Sequence, residues 1–250
     1  MSLRDGLAVI VLASLLAAGS VPPAGADENP AESLVDLGRA LFFDARLSRE
    51  RTMSCATCHD PQTAFSDARD NGVAGGASLG HDGRSLGDRN APSLTYLAAV
   101  PPFQRTRDGG YRGGLFHDGR AATLEAQAVQ PILSPAEMGL NSGTVLRDRI
   151  REDRSLAAAI SRFLGPGALS TPAAAVESVG TALAAYQRSA EFSTFDSRYD
   201  RYLRGEATLT RDEELGRRLF FSPLINCNQC HLLDEREGRA AEVFTNHEYV

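Results

Sequence analysis

The chain has 250 residues, of which 42% are hydrophobic and 23% are charged, so it is long enough to bury two modest cores and is not disordered by composition. Its formal net charge at pH 7 is −6. Because nucleic acids select basic surfaces, this charge argues against nucleic acid as a partner.

The first residues are typical of an export signal. Arg4 precedes an uncharged apolar run over 7–18 that is too short to span a bilayer, and residues 24–26 (AGA) form a small-residue cleavage site. We therefore predict a signal peptide over 1–26 and a mature protein in a bacterial periplasm. The alternative is an N-terminal membrane anchor.

Helical patterns dominate the rest of the chain. Apolar residues recur at helical spacing in three segments, 31–43, 145–163 and 172–188. Thr171 and Thr210 are placed to cap the helices that follow them. Glycine, proline and aspartate recur over 67–114, which predicts extended loops. Since no alternating strand pattern occurs, the predicted class is all-α with long loops.

All four cysteines fall in two C-x-x-C pairs, each followed directly by histidine, which is the attachment signature of c-type haem. Two cysteines three residues apart on a helix share one face, where their sulfurs can reach two vinyl groups of one porphyrin, while the histidine binds the iron. We expect two covalently bound c-type haems. The predicted ligands are Cys55, Cys58 and His59 in the first motif, and Cys227, Cys230 and His231 in the second.

Three other uses of these cysteines stay open. One zinc site would need both pairs in one place and would leave the repeated histidines unexplained. A thioredoxin-like redox pair expects a βαβ setting, which the sequence does not show. Two structural disulfides are the third alternative, because exported proteins usually pair their cysteines.

The segment before each motif is repeated. Residues 37–43 (LGRALFF) match residues 215–221 (LGRRLFF), which predicts two copies of one structural unit. Residues 165–167 (GPG) are the best candidate boundary. We expect an N-terminal haem domain over 27–167 and a C-terminal haem domain, itself incomplete, over 168–250.

Several short motifs follow one another along the chain: 41–44 (LFFD), 54–60 (SCATCHD), 80–81 (GH), 89–94 (RNAPSL), 116–120 (FHDGR), 125–128 (EAQA), 135–139 (PAEMG) and 195–199 (FDSRY). In this order they resemble the bacterial di-haem cytochrome c peroxidases and the MauG-type methylamine-utilisation enzymes. The resemblance implies two cytochrome-c-like helical domains. In such proteins the first haem reacts with peroxide and the second relays electrons.

The resemblance also implies roles for single residues. His59 would be the proximal ligand of the reactive haem and His81 its distal ligand at rest, while Gln127 and Glu137 would line the peroxide pocket as catalytic groups. Asn90 would bind calcium between the domains. Side-chain chemistry agrees, since a carboxylate can move a proton between the peroxide oxygens, whereas an amide can only hydrogen-bond. Without the resemblance, His81 would be a loop residue, Asn90 a turn residue, Gln127 a surface residue of a short helix and Glu137 a helix-start residue.

Two features depart from the family pattern. His117 stands where the family usually has tryptophan between the haems; because imidazole is harder to oxidise by one electron, we expect it to hydrogen-bond or to anchor a propionate. The sequence also ends before the segment that supplies the second haem's distal ligand. No methionine follows Met138, and His247 and Tyr249 are the remaining nearby candidates. We expect a fragment of a longer protein; the alternative is a five-coordinate second haem.

Together these inferences predict a periplasmic peroxidase. It would reduce hydrogen peroxide at the first haem with electrons that a small cytochrome c or copper protein delivers through the second. One alternative is a MauG-type oxidase that uses peroxide to modify residues of a partner protein. Another is a di-haem electron carrier without catalysis. A homodimer is compatible with the resemblance.

Overall fold

The computed structural model describes residues 31–232 and 243–249, so the predicted signal peptide over 1–26 lies outside the described residues. The helices, in chain order, are α1 (Leu34–Phe42), α2 (Cys55–Cys58), α3 (Leu124–Ala128), α4 (Gln130–Leu133), α5 (Gly143–Arg151), α6 (Arg154–Leu164), α7 (Pro172–Gln187), α8 (Arg198–Leu203) and α9 (Arg211–Phe220). Two strands, β1 (Gln104–Arg105) and β2 (Tyr111–Arg112), pair antiparallel with Gln104 opposite Arg112.

The predicted helix starts agree with the structure. The Thr171 hydroxyl accepts the Ala174 N–H at the start of α7, where Pro172 occupies the first turn. Thr210 and Glu213 form a reciprocal capping box at the start of α9. Both starts are therefore confirmed.

The predicted helix over 145–163 is wrong, because the structure has two helices there. The carboxylate of Asp153 accepts the backbone N–H groups of Ser155 and Leu156, so it caps the start of α6 and ends the preceding helix, α5. An aspartate that bonds the backbone locally favours a cap over a helix interior.

The loop region predicted over 67–114 contains the short hairpin of β1 and β2, so the expectation of no strands is corrected. Each strand has two residues, both exposed, which is too short for an alternating apolar pattern to show in the sequence. The rest of the segment consists of turns, one short 3-10 helix over 97–99 and irregular backbone.

The main core forms where α1 packs against α7 and α7 packs against α5. Leu37 and Leu41 on α1 are fully buried, as are Ile150 on α5 and Val179 on α7. Gly38 lies against the backbone carbonyl of Ala182, leaving no room for a Cβ atom. The glycine of the repeated segment therefore allows two helix backbones to approach closely.

The predicted domain boundary after residue 167 runs through this core. Helix α7, which follows that boundary, contributes Val179, Leu183 and Tyr186 to the cluster that also contains Leu37 and Leu41 of α1. Residues on both sides of the Gly-Pro-Gly turn thus bury one common apolar surface. The turn, exposed at Pro166 and Gly167, connects α6 to α7, and both helices contribute side chains to this core.

Within residues 31–232 and 243–249, no helix combines the length and the mean hydropathy that a bilayer span requires.

Candidate functional site

The first C-x-x-C-H motif begins with a single helical turn. The Ser54 N–H donates to the Thr57 hydroxyl at 3.0 Å, and the His59 N–H donates to the Cys55 carbonyl at 2.9 Å. These bonds start and end the turn, so Cys55 and Cys58 lie on one face of it. Burial raises the pKa of Cys55 to about 12. Burial likewise raises the pKa of Cys58 to about 11, so both thiols are protonated.

The ring of His59 is held in one orientation. Its Nδ1 lies 2.9 Å from the backbone carbonyl of Phe65, and because a carbonyl only accepts, Nδ1 carries the hydrogen and donates. Burial lowers the pKa of His59, which favours the neutral ring. Its Nε2 is then the nitrogen with the free electron pair that a metal ion binds.

A cavity of about 780 Å³ opens beside this motif, within the usual range for sites that hold a cofactor. Its wall includes both cysteines and His59. It also includes apolar side chains, among them Phe42, Met53, Leu94, Leu97, Leu115 and Leu183. The other predicted site residues that line it are Asn90, His117, Gln127 and Glu137.

Gln127 and Glu137 reach this cavity from different elements. Gln127 lies on α3, and Glu137 lies in the turn after α4, where its N–H donates to the Ser134 carbonyl at 3.2 Å. Among the described residues, no hydrogen bond or ion pair holds the Glu137 carboxylate, while its charge raises the pKa of Cys58. A partly buried carboxylate without a cation can accept and return a proton.

His81 does not line this cavity, although the resemblance made it a distal ligand of the iron. Its ring packs against Gly139, whose missing Cβ makes the space, and its side chain is 8% exposed. The nearest carboxylate oxygen belongs to Glu50, 3.9 Å from Nδ1, and that nitrogen has no hydrogen bond. Its backbone N–H donates to the Glu137 carbonyl at 2.7 Å. The His81 ring thus lies against Gly139 and is not part of the cavity wall.

Asn90 and His117 lie together at the exposed edge of the cavity. The Nε2 of His117 is 3.3 Å from the backbone carbonyl of Asn90, which agrees with a hydrogen-bonding histidine at this position. Within the described part of the chain, no group of three or more histidine, cysteine, aspartate or glutamate side chains could hold a metal ion. Calcium at Asn90 stays a prediction.

Sequence reasoning missed a pair of arginines at the same edge. Arg89 and Arg120 both donate to the Asp118 carboxylate, at 3.0 Å and 2.9 Å, and all three residues line the cavity. The Arg120 guanidinium lies 3.6 Å from the centroid of the Phe116 ring. Two cations that share one anion leave a net positive charge. Both arginines lie within matched motifs, but only the fold brings them together.

The second C-x-x-C-H motif lies away from this cavity and is more exposed. Cys227–Gln229 form a 3-10 turn, and both Cys230 and His231 are exposed. The Nδ1 of His231 lies 3.3 Å from the Phe244 carbonyl. Tyr249, a candidate distal ligand in the sequence, instead donates its hydroxyl to the Gly113 carbonyl at 3.1 Å. No disulfide joins any of the four cysteines.

Residues 32–208 match the profile of a family described as di-haem cytochrome c peroxidase. The chain belongs to this di-haem cytochrome c peroxidase family. Membership implies haem cofactors, and the first cavity fits one, because its two thiols share a face and the bond from Nδ1–H of His59 to the Phe65 carbonyl makes Nε2 the ring nitrogen with the electron pair.

The relatives carry both family names. The methylamine utilization protein MauG of Paracoccus denitrificans (strain Pd 1222) is 45% identical over 232 residues, 92% of this chain and 59% of that protein. The cytochrome c peroxidase Ccp of Escherichia coli (strain K12) is 31% identical over 198 residues, 79% of this chain and 36% of that protein. The crystal structure of the diheme peroxidase BthA from Burkholderia thailandensis E264 matches with a TM-score of 0.79 at 37% identity, over 88% of this chain and 54% of that one. This chain therefore spans about half the length of the relatives it matches.

Proposed function

We propose that the chain belongs to a periplasmic di-haem peroxidase and that hydrogen peroxide is reduced in the first cavity. The observation that carries this proposal is the joint presence, on one cavity wall, of His59, whose Nδ1–H donates to the Phe65 carbonyl, and Glu137, whose carboxylate has no hydrogen bond or ion pair among the described residues. Peroxide reduction needs a metal position and a group that moves a proton. These two residues provide both.

Each residue of the cavity has a separate task in this proposal. His59 would hold the iron through Nε2, and Cys55 and Cys58 would attach the porphyrin. The haem supplies the metal and the redox chemistry. Glu137 takes a proton from the near oxygen of peroxide and returns it to the far oxygen, and Gln127 orients the substrate by hydrogen bonds.

The charged edge of the cavity has a place in the same proposal. A haem carries two propionates, and carboxylates are bound best by guanidinium groups in fixed positions. Arg89 and Arg120 are held by Asp118, and Arg120 also stacks on Phe116. We infer that this edge binds a propionate beside His117, whose Nε2–H donates to the Asn90 carbonyl.

Replacing Glu137 by glutamine tests the proton transfer, because the amide keeps the shape and loses the proton acceptor. We expect both haems to stay attached, while peroxide turnover falls by roughly 10²- to 10⁴-fold. The haem content and the steady-state rate with a reduced cytochrome c or copper protein are the measurements. Glu177→Gln, an exposed carboxylate on α7, is the matched control and should keep the wild-type rate. An undiminished rate in Glu137→Gln would remove the proton-transfer role.

A MauG-type oxidase is the second candidate, and the 45% identity to MauG over 92% of the chain favours it. Such an enzyme would use peroxide at the same cavity to modify residues of a partner protein. Adding peroxide without a donor separates the two candidates. A long-lived doubly oxidised di-haem state supports the oxidase, and steady donor-dependent turnover supports the peroxidase. Inertness of both haems after half-reduction would leave an electron carrier.

A further inference from the structure

We propose that residues 243–249 form a connecting strap that orients His231 at the second haem motif and is fastened by Tyr249 to the wall of the first cavity. The two haem sites then share one positioning segment. This inference rests on the proposed binding of haem by both motifs, and it does not depend on the reaction with peroxide.

The first motif shows how a haem-binding histidine is oriented in this chain. The carbonyl that accepts the Nδ1–H of His59 belongs to Phe65, six residues further on. Phe65 has a left-handed backbone, with φ of 57°, which turns its carbonyl toward the ring. Its side chain packs edge-on against Phe42, with ring centroids 6.1 Å apart.

The second motif repeats this arrangement with a residue of the strap. Phe244 lies 13 residues after His231, and its carbonyl is 3.3 Å from the Nδ1 of that histidine. Phe244 also has a left-handed backbone, with φ of 54°. Its ring packs edge-on against Phe220, the counterpart of Phe42, with centroids 5.9 Å apart. Phe244 is therefore the counterpart of Phe65.

The other end of the strap is bonded to the loop region beside the first cavity. The Gly113 N–H donates to the His247 carbonyl at 2.8 Å, and the Tyr249 N–H donates to the Tyr111 carbonyl at 2.9 Å. The Tyr249 hydroxyl donates to the Gly113 carbonyl at 3.1 Å, and its ring packs edge-on against Phe103. Three hydrogen bonds and one ring contact thus fix this end.

The loop is shaped to receive Tyr249. Gly119 has φ of 69°, and a Cβ atom there would lie 2.5 Å from the Tyr249 hydroxyl oxygen. Gly113, which also has a positive φ of 76°, is buried beneath the strap. His247 and Tyr249 themselves line the first cavity. The fastened end is therefore part of the wall of the reactive site.

The backbone of the strap therefore links the two haem sites. Only residues 245–248 separate Phe244, whose carbonyl orients His231, from the anchoring ring of Tyr249. A shift of Tyr249 therefore displaces the acceptor of the His231 Nδ1–H. That hydrogen bond sets the orientation and the basicity of a ligating imidazole, and with them the reduction potential of the metal. Tyr249 is a positioning residue for the second haem.

Tyr249→Phe tests this link in the haem-loaded protein, because it removes one hydroxyl and keeps the ring. We expect the ratio of reduced to oxidised second haem at a fixed potential to shift roughly two- to tenfold, the effect of one hydrogen bond. The affinity of the first haem for azide, followed by its absorption spectrum, should change in the same variant. Tyr111→Phe removes a hydroxyl from an exposed ring of the same loop, and it should alter neither property.

Gly119→Ala gives an independent displacement of Tyr249, and Gly109→Ala is its control. Both glycines have a positive φ, but only Gly119 approaches Tyr249. The potential of the second haem should shift in Gly119→Ala and not in Gly109→Ala. An unchanged second haem in both strap variants would overturn the proposal, and so would equal shifts in the controls. Neither measurement uses peroxide, so a failed peroxidase proposal would not affect the result.

Discussion

The two haem motifs follow almost identical segments, yet the structure buries only the first of these. Leu37 and Leu41 on α1 are 0% exposed, whereas their counterparts on α9, Leu215 and Leu219, are 56% and 43% exposed. The two helices are otherwise alike, because each ends in a pair of phenylalanines whose rings pack edge-on. The exposures of these leucines differ because the helix face that carries them is covered by other elements in α1 and, within the described part of the chain, not in α9.

The glycines of the two segments identify the missing contact. Gly38 lies against the backbone of Ala182 on α7, while a Cβ atom at Gly216 would meet nothing within 4 Å. Among the described residues, α9 therefore has no counterpart of α7. The repeated sequence thus determines the helix and the aromatic contacts, whereas the packing of a second helix determines whether its apolar face is buried.

Truncating the equivalent leucines should give the largest difference between the two segments. Leu41→Ala removes a fully buried side chain and should lower the free energy of unfolding by about 2–5 kcal/mol. Leu219→Ala should lower it by less than about 1 kcal/mol, because that side chain is half exposed. Urea unfolding of the haem-loaded variants, followed by far-UV circular dichroism, gives both values. Similar losses would mean that the α9 face is covered in solution.

Alanine at the two glycines should give effects of opposite sign. Gly38→Ala forces a methyl group against the α7 backbone and should cost about 1–3 kcal/mol of unfolding free energy. Gly216→Ala adds a better helix former at an open position and should contribute about 0.5–1 kcal/mol. Differential scanning calorimetry of both variants is the measurement. A destabilising Gly216→Ala would show that another helix packs on α9, as α7 does on α1.

The features that could be predicted from the sequence depend on residues close together in the chain. The C-x-x-C-H turns, the repeated segment and the caps at Thr171 and Thr210 depend on residues a few positions apart. The break between α5 and α6 at Asp153 also depends on local sequence. An aspartate within a segment of helically spaced apolar residues, however, can either cap a helix or lie on its exposed face.

The features that the sequence could not give depend on contacts between distant segments. His81 lies behind Gly139, 58 positions further on in the chain, and nothing near His81 indicates that contact. Likewise, the packing of α7 on α1 joins residues on both sides of the exposed Gly-Pro-Gly turn in one core, and nothing near that turn indicates this contact. The strap contact between Tyr249 and Gly113 spans 136 residues.

Acid sensitivity should give the smallest difference between the two units. In the first, burial alone would raise the pKa of Asp67, but hydrogen bonds from Arg69 and Ser78 outweigh it and lower the pKa to about 2. In the second, hydrogen bonds from Arg217 and Arg218 lower the pKa of Glu214, also to about 2. Both carboxyls titrate near pH 4 when unfolded, so each stabilises the fold above pH 4 and loses this contribution as the pH falls toward 2.

The two pairs differ in solvent contact, which decides how much stability they contribute. The Asp67 side chain is 7% exposed and that of Glu214 is 29% exposed, with Arg218 at 72%. Exposed ion pairs contribute little and are screened by salt. Asp67→Asn should therefore flatten the fall of the melting temperature between pH 5 and pH 2 more than Glu214→Gln, and the difference should persist in high salt. Equal slopes for the two variants would mean that the Asp67–Arg69 pair behaves as a surface pair, despite its burial beside Cys58.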